Sequence, residues 1–500
     1  MQSSKPLVAV CVCIAMIAGC SITPMPLSTA EIDQRIQLDR QAMFSTQPPV
    51  TAPITFTEAL GRAYLFNLEN RLKAMEDALA QGQLDLAYYD MLPRLTALAG
   101  YSNRDNDGGG TAINLRTGVS TTDPTVAEER THHTEQLALS WNLLDFGLSY
   151  VRAKQQANQL LIAKEHRRKT LQNITQDVYS AYYRALATQR RTADVERLLG
   201  RAEKALADAH TIEEKGLAPP VQILLYQRGL IEILQQMRSR RNELQSAYQE
   251  LAALMNLKPG TQYSLADGTP SVVPPLPEDV DHLSEVALRY RSELREEDYR
   301  DKISQLEAKR ILLSILPSIQ IETGIHGDSN KYLYNNRWWE SQANISFNLF
   351  RVFSVPASER QMAVQSEVDR ARRMAMAMSI VTQVHLAVER YRETVTDLQL
   401  SKQLASIDKR VNQQVANGVQ SQTEGELEQI RAEARSLLSN IQDDYAQASL
   451  YGAYARLMNS VGLDLIDADV PDNLSALTKL LDQRLPTWSV QNVEATPSTL

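Results

Sequence analysis

Few residues of this 500-residue chain could do chemistry: three cysteines, one adjacent histidine pair and a tight group of acids. Cys11, Cys13 and Cys20 all lie within the first twenty positions. A zinc site or a nucleophilic thiol needs His, Cys or Asp partners at set spacings, and none accompany these. His132-His133 lies in a predicted loop with no cysteine to join it, so it offers at most an adventitious metal contact. Glu424, Glu426 and Glu428 crowd the start of a helical stretch. Acids are favoured at any helix N-terminus, and several copies of such a group could draw cations. No glycine-rich phosphate loop, His-Glu-x-x-His or nucleophile elbow occurs. The other acids sit on helix faces among Lys and Arg, as on solvated helices. No enzyme is indicated, and no cofactor beyond a covalent lipid. A net charge of −8 gives no basic footprint, so no nucleic-acid partner is expected.

Residues 1–19 read as a secretory signal peptide. Lys5 supplies the positive start, Leu7 to Ala18 the apolar run, and small residues the cleavage site. The run is too short for an ordinary membrane-spanning helix. Ile17-Ala18-Gly19-Cys20 resembles the bacterial lipobox, whose cysteine is lipidated and becomes the mature N-terminus. An ordinary signal that happens to end near a cysteine is the plainer alternative. Ser21 stands where lipoproteins kept at the inner membrane usually carry Asp, so the resemblance implies the outer membrane. On this reading Cys20 carries the lipid, and the mature chain has no thiol left for a disulfide.

Positioning these groups requires long helices. Ala, Gln, Leu, Arg and Glu dominate, a mostly helical composition. Residues 20–54 hold five prolines and read as a tether with room for one short helix. A helix then runs from Thr55 to about Met91 and stops at Pro93. Alternation follows: Leu95, Ala97, Ala99 and Tyr101 fall on one side of a strand, then a polar loop covers 103–131. In 136–143, Leu137, Leu139, Trp141 and Leu143 oppose Gln136, Ala138, Ser140 and Asn142, the period of a two-faced sheet. A proline-free helical stretch spans about 149–214, roughly 100 Å at the α-helical rise. A partner helix reaches about Leu257, and a proline-rich linker covers 258–277.

The same order then recurs. A helix covers about 278–315 and stops at Pro317. Ile319, Ile321, Thr323 and Ile325 oppose Ser318, Gln320 and Glu322. Ala343, Ile345, Phe347 and Leu349 oppose Gln342, Asn344, Ser346 and Asn348. A long helix runs from Pro356 to Asn417, Gly418 breaks it, and a last helix ends near Val461. Residues 464–500 read as one short helix and a loose tail. Pro93 and Pro317 are 224 apart, Asn142-Leu143 and Asn348-Leu349 are 206 apart, and Leu254-Met255-Asn256 and Leu457-Met458-Asn459 are 203 apart. Offsets that change only at loops and turns mark a duplication, with repeat 1 at 55–257 and repeat 2 at 278–463.

An exported chain can turn an apolar sheet face to lipid, where only helices and closed barrels satisfy every backbone N–H and C=O. Beyond the signal no stretch of about twenty apolar residues occurs, so strands would have to span, and four strands cannot close a barrel alone. Several chains must then share one. Gln136, Ser140, Asn142, Gln320, Glu322, Gln342, Asn344, Ser346 and Asn348 would face a watery lumen. Trp338 and Trp339 would open the fourth strand at headgroup depth, as aromatic girdles do.

Helix, strand, strand, long helix, turn and helix, done twice, resembles the TolC family of outer membrane channel proteins over about residues 55–463. Matching marks are Glu58-Ala59-Leu60 with Asn67, Pro93 before the first strand, and Trp141-Asn-Leu-Leu-Asp145-Phe-Gly147 at a strand-to-helix junction. The second junction puts Arg351 and Phe353 where the first has Asp145 and Gly147, so its bend must be built differently. The resemblance implies a mainly α fold with a transmembrane β-barrel part: a homotrimer whose twelve strands, four per chain, form one barrel continued by a periplasmic α-helical barrel. It implies the exit duct of a tripartite efflux pump or type I secretion system, with a periplasmic adaptor, an inner-membrane transporter and outer membrane lipid as partners. A lipid-anchored periplasmic coiled-coil adaptor or scaffold without a pore is the alternative, but leaves the strands and the repeat without purpose.

The resemblance also implies site residues. Gly216 and Gly418 match the family's turn glycine, where paired helices meet at the periplasmic end, so Gly216, Leu217, Gly418, Val419 and Ser421 are candidates for adaptor docking. Each glycine is also a plain helix stop. The family narrows the channel with acids six and nine positions after the second glycine. Here Glu424 fits, Leu427 does not, and Glu428 lies one helical turn beyond Glu424 on the same face. Glu424 and Glu428 are therefore the candidates for a carboxylate ring at the periplasmic aperture.

Overall fold

A computed structural model describes residues 25–44, 47–111, 113–114, 116–120, 122–268, 279–422, 425–466 and 470–489. The signal peptide, Cys20, Glu424 and the last eleven residues lie outside the described residues. In chain order the helices are α1 (Thr29–Phe44), α2 (Phe56–Phe66), α3 (Leu68–Tyr89), α4 (Leu143–Glu214), α5 (Pro220–Leu254), α6 (Val280–Tyr290), α7 (Ser292–Leu313), α8 (Val355–Gln420), α9 (Glu426–Val461) and α10 (Leu474–Arg484). The strands are β1 (Arg94–Asn103), β2 (Gly108–Gly110), β3 (Thr125–Glu128), β4 (Thr131–Asn142), β5 (Ser318–Asp328) and β6 (Arg337–Ser346). No described helix is long and apolar enough to cross a membrane.

β1, β4, β5 and β6 form one antiparallel sheet in that order, two strands from each repeat. The loop expected over 103–131 contains a small second sheet, β2 with β3. His132 and His133 lie on β4 rather than in that loop, and successive strand residues point to opposite faces, so the two rings cannot share a ligand.

The helices pack in two layers along a common length. Next to the sheet the order is α3, α4, α7, α8, which repeats the strand order; farther away it is α5, α4, α9, α8. The 72-residue α4 and the 66-residue α8 run through both layers. The main core lies where the short helices α2, α6 and α10 pack on the middle of this frame, around Leu60, Val178, Leu251, Leu283, Ile380, Met458 and Leu477. The expected loose tail is ordered as far as Trp488, which is buried against Tyr179 and Tyr454. The linker is also ordered at its start. Ile54 donates to the Ser264 carbonyl at 2.8 Å and accepts from Ala266 at 2.8 Å, with Leu265 buried.

Each single helix expected before the strands is two. Asn67 separates α2 from α3 with φ −60° and ψ 128°, and Arg291 separates α6 from α7 with φ −63° and ψ 127°. The breaks stand 224 residues apart, like the prolines that follow them. Different side chains hold the same bend. The Asn67 amide donates to the Leu254 carbonyl at 3.2 Å, while the buried Arg291 guanidinium donates to the Ser460 carbonyl at 3.1 Å and pairs with Glu293 at 2.7 Å. Both thus tie the bend to the end of their repeat's last helix. Burial disfavours the Glu293 charge, but Lys169 and Arg291 outweigh it and hold that carboxyl below its usual range.

Those last helices stop in left-handed caps, at Asn256 (φ 54°) and Gly462 (φ 81°). The caps are 206 apart although the preceding Leu-Met-Asn triplets are 203 apart, so α9 runs three residues further past its triplet. A Cβ on Gly462 would stand 2.9 Å from the Arg291 nitrogen and 3.0 Å from its Cα, so the position needs glycine for both its φ and its space. Gly462→Ala should lower stability by roughly 2–3 kcal/mol, combining left-handed strain with displacement of the α6–α7 bend. Gly147→Ala, in the first turns of α4 with no atom within 4 Å of a built Cβ, should be neutral or stabilising by about 0.5–1 kcal/mol. Thermal unfolding followed by helical circular dichroism checks both; an equal midpoint for Gly462→Ala and the parent would refute the first.

Candidate functional site

Strand register decides which side chains share a face. Arg94, Ser140, Glu322 and Gln342 are aligned across all four strands, and Asn142, Gln320 and Asn344 across three. Gln136 lies on the same side and donates to Glu322 at 3.2 Å, and Ser318 faces Ser346. The opposite side carries Leu95 with Leu139, Ala97 with Leu137 and Ile325, and Trp141 with Ile321 and Ala343. Eight of the nine expected lumen residues are thus brought onto one polar face.

Asn348 is not among them. β6 ends at Ser346, and the Asn348 side chain accepts from the Phe350 N–H at 3.2 Å, capping a 3-10 turn over Leu349–Ser354. Asn142, 206 residues earlier, is the last residue of β4 and also caps α4, accepting from Leu144 at 3.0 Å and Asp145 at 3.2 Å. The sheet therefore hands over to helix several residues before the expected starts near Ser149 and Pro356, and Leu143, Phe347 and Leu349 are not in strands. In the second junction Arg351 reaches back to the Ser314 carbonyl at 2.7 Å, which builds the different bend expected there. Asx capping by an asparagine at the end of an alternating run was the available signal.

Trp338 and Trp339 do open β6, but on opposite faces. Trp338 lies on the polar side, stacked on His326 at 5.4 Å, and only Trp339 joins the apolar side. Within one chain the sheet has two unpaired edges, β1 and β6, and its apolar side is open, with Leu95, Trp339 and Ile345 about two-thirds exposed or more. The helical layers share this incompleteness. Leu72, Met75, Leu79 and Leu86 are exposed on α3, Val221, Leu224 and Leu225 on α5, and Met374, Met378, Leu400 and Leu404 on α8, the helices at the layer margins.

At the end remote from the sheet, α4 turns into α5 through Gly216 (φ 62°), whose N–H donates to Glu213 at 2.9 Å while Leu217 donates to Ile212 at 3.1 Å. Leu217 projects from this turn, 71% exposed. The second turn corrects the expectation for Gly418. That residue lies inside α8, which continues to Gln420, and the left-handed position is Gln422 (φ 61°). Gln422 is 206 residues from Gly216, and Glu426, which opens α9, is 206 from Pro220, which opens α5, so the repeat register marked the turn correctly where the glycine did not. Val419 belongs to the last turn of α8 and Ser421 is its cap, donating to the Asn417 and Gly418 carbonyls at 3.1 Å. Glu428 lies in the first turn of α9, paired with Arg431 at 2.6 Å, and its proposed companion Glu424 lies outside the described residues.

No protein-family model matches the sequence, and no curated protein matches it. Solved structures do. The Campylobacter jejuni CmeC outer membrane channel aligns over 93% of this chain and 98% of its own at 12% identity, with a TM-score of 0.64. The open state of the Neisseria gonorrhoeae MtrE outer membrane channel aligns over 82% and 89% at 16% identity and TM-score 0.62. The Vibrio cholerae outer membrane protein VceC aligns over 81% and 96% at 13% identity and TM-score 0.58. The chain therefore has the fold of the TolC-like outer membrane channels, mainly α with a β part, as its sequence led us to expect.

The two turns should respond to substitution with opposite signs. Gln422→Gly relieves a left-handed side chain and should stabilise the α8–α9 turn by about 1 kcal/mol, whereas Gly216→Ala should destabilise the α4–α5 turn by a similar amount. Amide hydrogen exchange at the helix ends reads this directly; slower exchange in Gly216→Ala would contradict the assignment.

Proposed function

We propose that three copies of this chain close into a channel through the bacterial outer membrane, serving as the exit duct of a tripartite efflux pump or type I secretion system. One observation carries this reading: the sheet and both helical layers end in open margins at the same two sides of the chain. Pairing β6 of one copy with β1 of the next gives every strand two neighbours, and twelve strands enclose a lumen. The same step covers α8 with the next copy's α3 and α5. The apolar sheet side then meets lipid, and the row of Ser140, Glu322, Gln342 and their neighbours lines the water-filled interior. The titles of the aligned structures, outer membrane channels of other bacteria, agree with this use of the fold.

A channel that crosses one membrane and reaches into the periplasm hands cargo on from elsewhere, so an inner-membrane transporter and a periplasmic adaptor are the partners. Gly216, Leu217, Val419 and Ser421 stand at the remote turns where an adaptor would dock, with Gly418 one turn back in α8. A lipid on Cys20 would tether the N-terminal segment to the same membrane. Glu424 and Glu428 would ring the aperture, with Arg431 offsetting part of the Glu428 charge.

Purified full-length protein in mild detergent should run as a heat-sensitive trimer and conduct ions in planar bilayers; a strictly monomeric, non-conducting protein would end this reading. Glu424→Gln with Glu428→Gln should reduce cation preference in the same bilayers, and unchanged selectivity would remove these residues from the aperture. Palmitate labelling in a bacterial host should be lost in Cys20→Ala.

A further inference from the structure

Between α4, α7 and α8, in the helical layer next to the sheet, the chain encloses a cleft of about 430 Å³. Asp301, Glu307 and Asp369 line it together with Ile303, Ile311 and Met362, and no Lys, Arg or His is among its lining residues. Glu307 already has a cation. Arg310 pairs with it at 2.6 Å, Gln155 donates to it at 3.1 Å, and the Arg310 hydrogen bonds hold this carboxyl below the ordinary carboxylate range. Asp301 accepts from the neutral Gln305 amide at 3.0 Å.

Asp369 is the unusual member. It is 8% exposed, its Oδ1 accepts from the Gln365 amide at 2.9 Å, and its Oδ2 is buried with no hydrogen-bond partner among the described residues. A buried carboxylate oxygen without a partner is costly and demands an explanation. Nothing on α8 supplies positive charge to it: Arg370 pairs with Glu367 at 3.2 Å, and Arg373 with Asp298 at 3.7 Å.

The ligand's chemistry follows from the walls. Among the described residues no three His, Cys, Asp or Glu side chains are grouped to hold a metal ion, which disfavours a bare divalent cation. The volume is that of a drug-sized ligand, and such sites combine apolar walls with a few oriented polar groups. We propose that this cleft binds an organic cation, a bulky amine or quaternary ammonium whose charge meets Asp369 and whose hydrocarbon body lies against Ile303, Ile311 and Met362. Asp301 adds a second negative charge at the same cleft. The site lies within one chain, so it holds whether or not three copies conduct.

Ethidium is a suitable probe, being a rigid aromatic cation whose anisotropy rises on binding. Titrated into the full-length protein in mild detergent, it should bind saturably. Asp369→Asn keeps the shape and removes the charge, and should weaken binding at least tenfold; Asp301→Asn should weaken it severalfold. Ala308→Met fills the cleft without touching a carboxylate and should abolish saturable binding while helical circular dichroism stays unchanged. Glu428→Gln, far from the cleft, should bind as the parent does. Absence of saturable binding by the parent, or equal affinity in Asp369→Asn and Ala308→Met, overturns the proposal. Displacement of ethidium by micromolar Mg²⁺ would assign the carboxylates to a metal and overturn it too. Loss of bilayer conductance with ethidium binding intact would count against the channel reading alone.

Discussion

An antiparallel strand must satisfy the N–H and C=O groups on both of its edges, and this chain leaves two edges open. β1 and β6 each have one neighbour, and the apolar side of the sheet has no helix over it. In water such a sheet invites uncontrolled edge-to-edge pairing; in hydrocarbon an unpaired backbone group costs several kcal/mol, a price only closure removes. The rest of the architecture conforms to that demand. The helices continue the strand order, so whatever closes the sheet also closes the layer beneath it.

Duplication is the economical route to this arrangement. Each repeat contributes two strands, and the corresponding backbone features fall at matched positions: bends at Asn67 and Arg291, caps at Asn142 and Asn348, and left-handed turns at Gly216 and Gln422. Side-chain identity has drifted at most of these while geometry has stayed. Arg291 replaces an asparagine with a buried guanidinium, and it satisfies the end of a neighbouring helix just as Asn67 does. Geometry is what packing selects, and several side chains can supply the same hydrogen bond.

That also explains what was legible in the sequence. The period-two runs, the long proline-free stretches and the repeat gave the fold class and the polar face, because burial and exposure alternate with the same periods. The hand-over points were misplaced because alternation in residue type ran on through Leu143 and Leu349, beyond the asparagines whose side chains end the strands. The bends at Asn67 and Arg291 were hidden because the apolar stripe continues across them. Gly418 drew the turn four residues early, since glycine marks conformational freedom without proving its use; the repeat offset pointed to Gln422 instead. Trp488 packs through a distant tyrosine cluster that no local pattern reveals. The unpartnered oxygen of Asp369 belongs to three helices at once and has no signature in one dimension.

α4 and α8 differ in one respect. α4 lies inside both helical layers, flanked everywhere by its own chain, whereas α8 stands at the margin of both. In a closed ring α8 is therefore the stave edge along which neighbouring copies meet, from the sheet to the remote turns. A one-turn insertion in α4 could be absorbed within its own protomer by matching changes in α5 or α7. The same insertion in α8 would put sheet and turn out of step with the next copy, three times around. Length in this molecule is a property of the seam, and evolution can lengthen the tube only by changing both sides of it together.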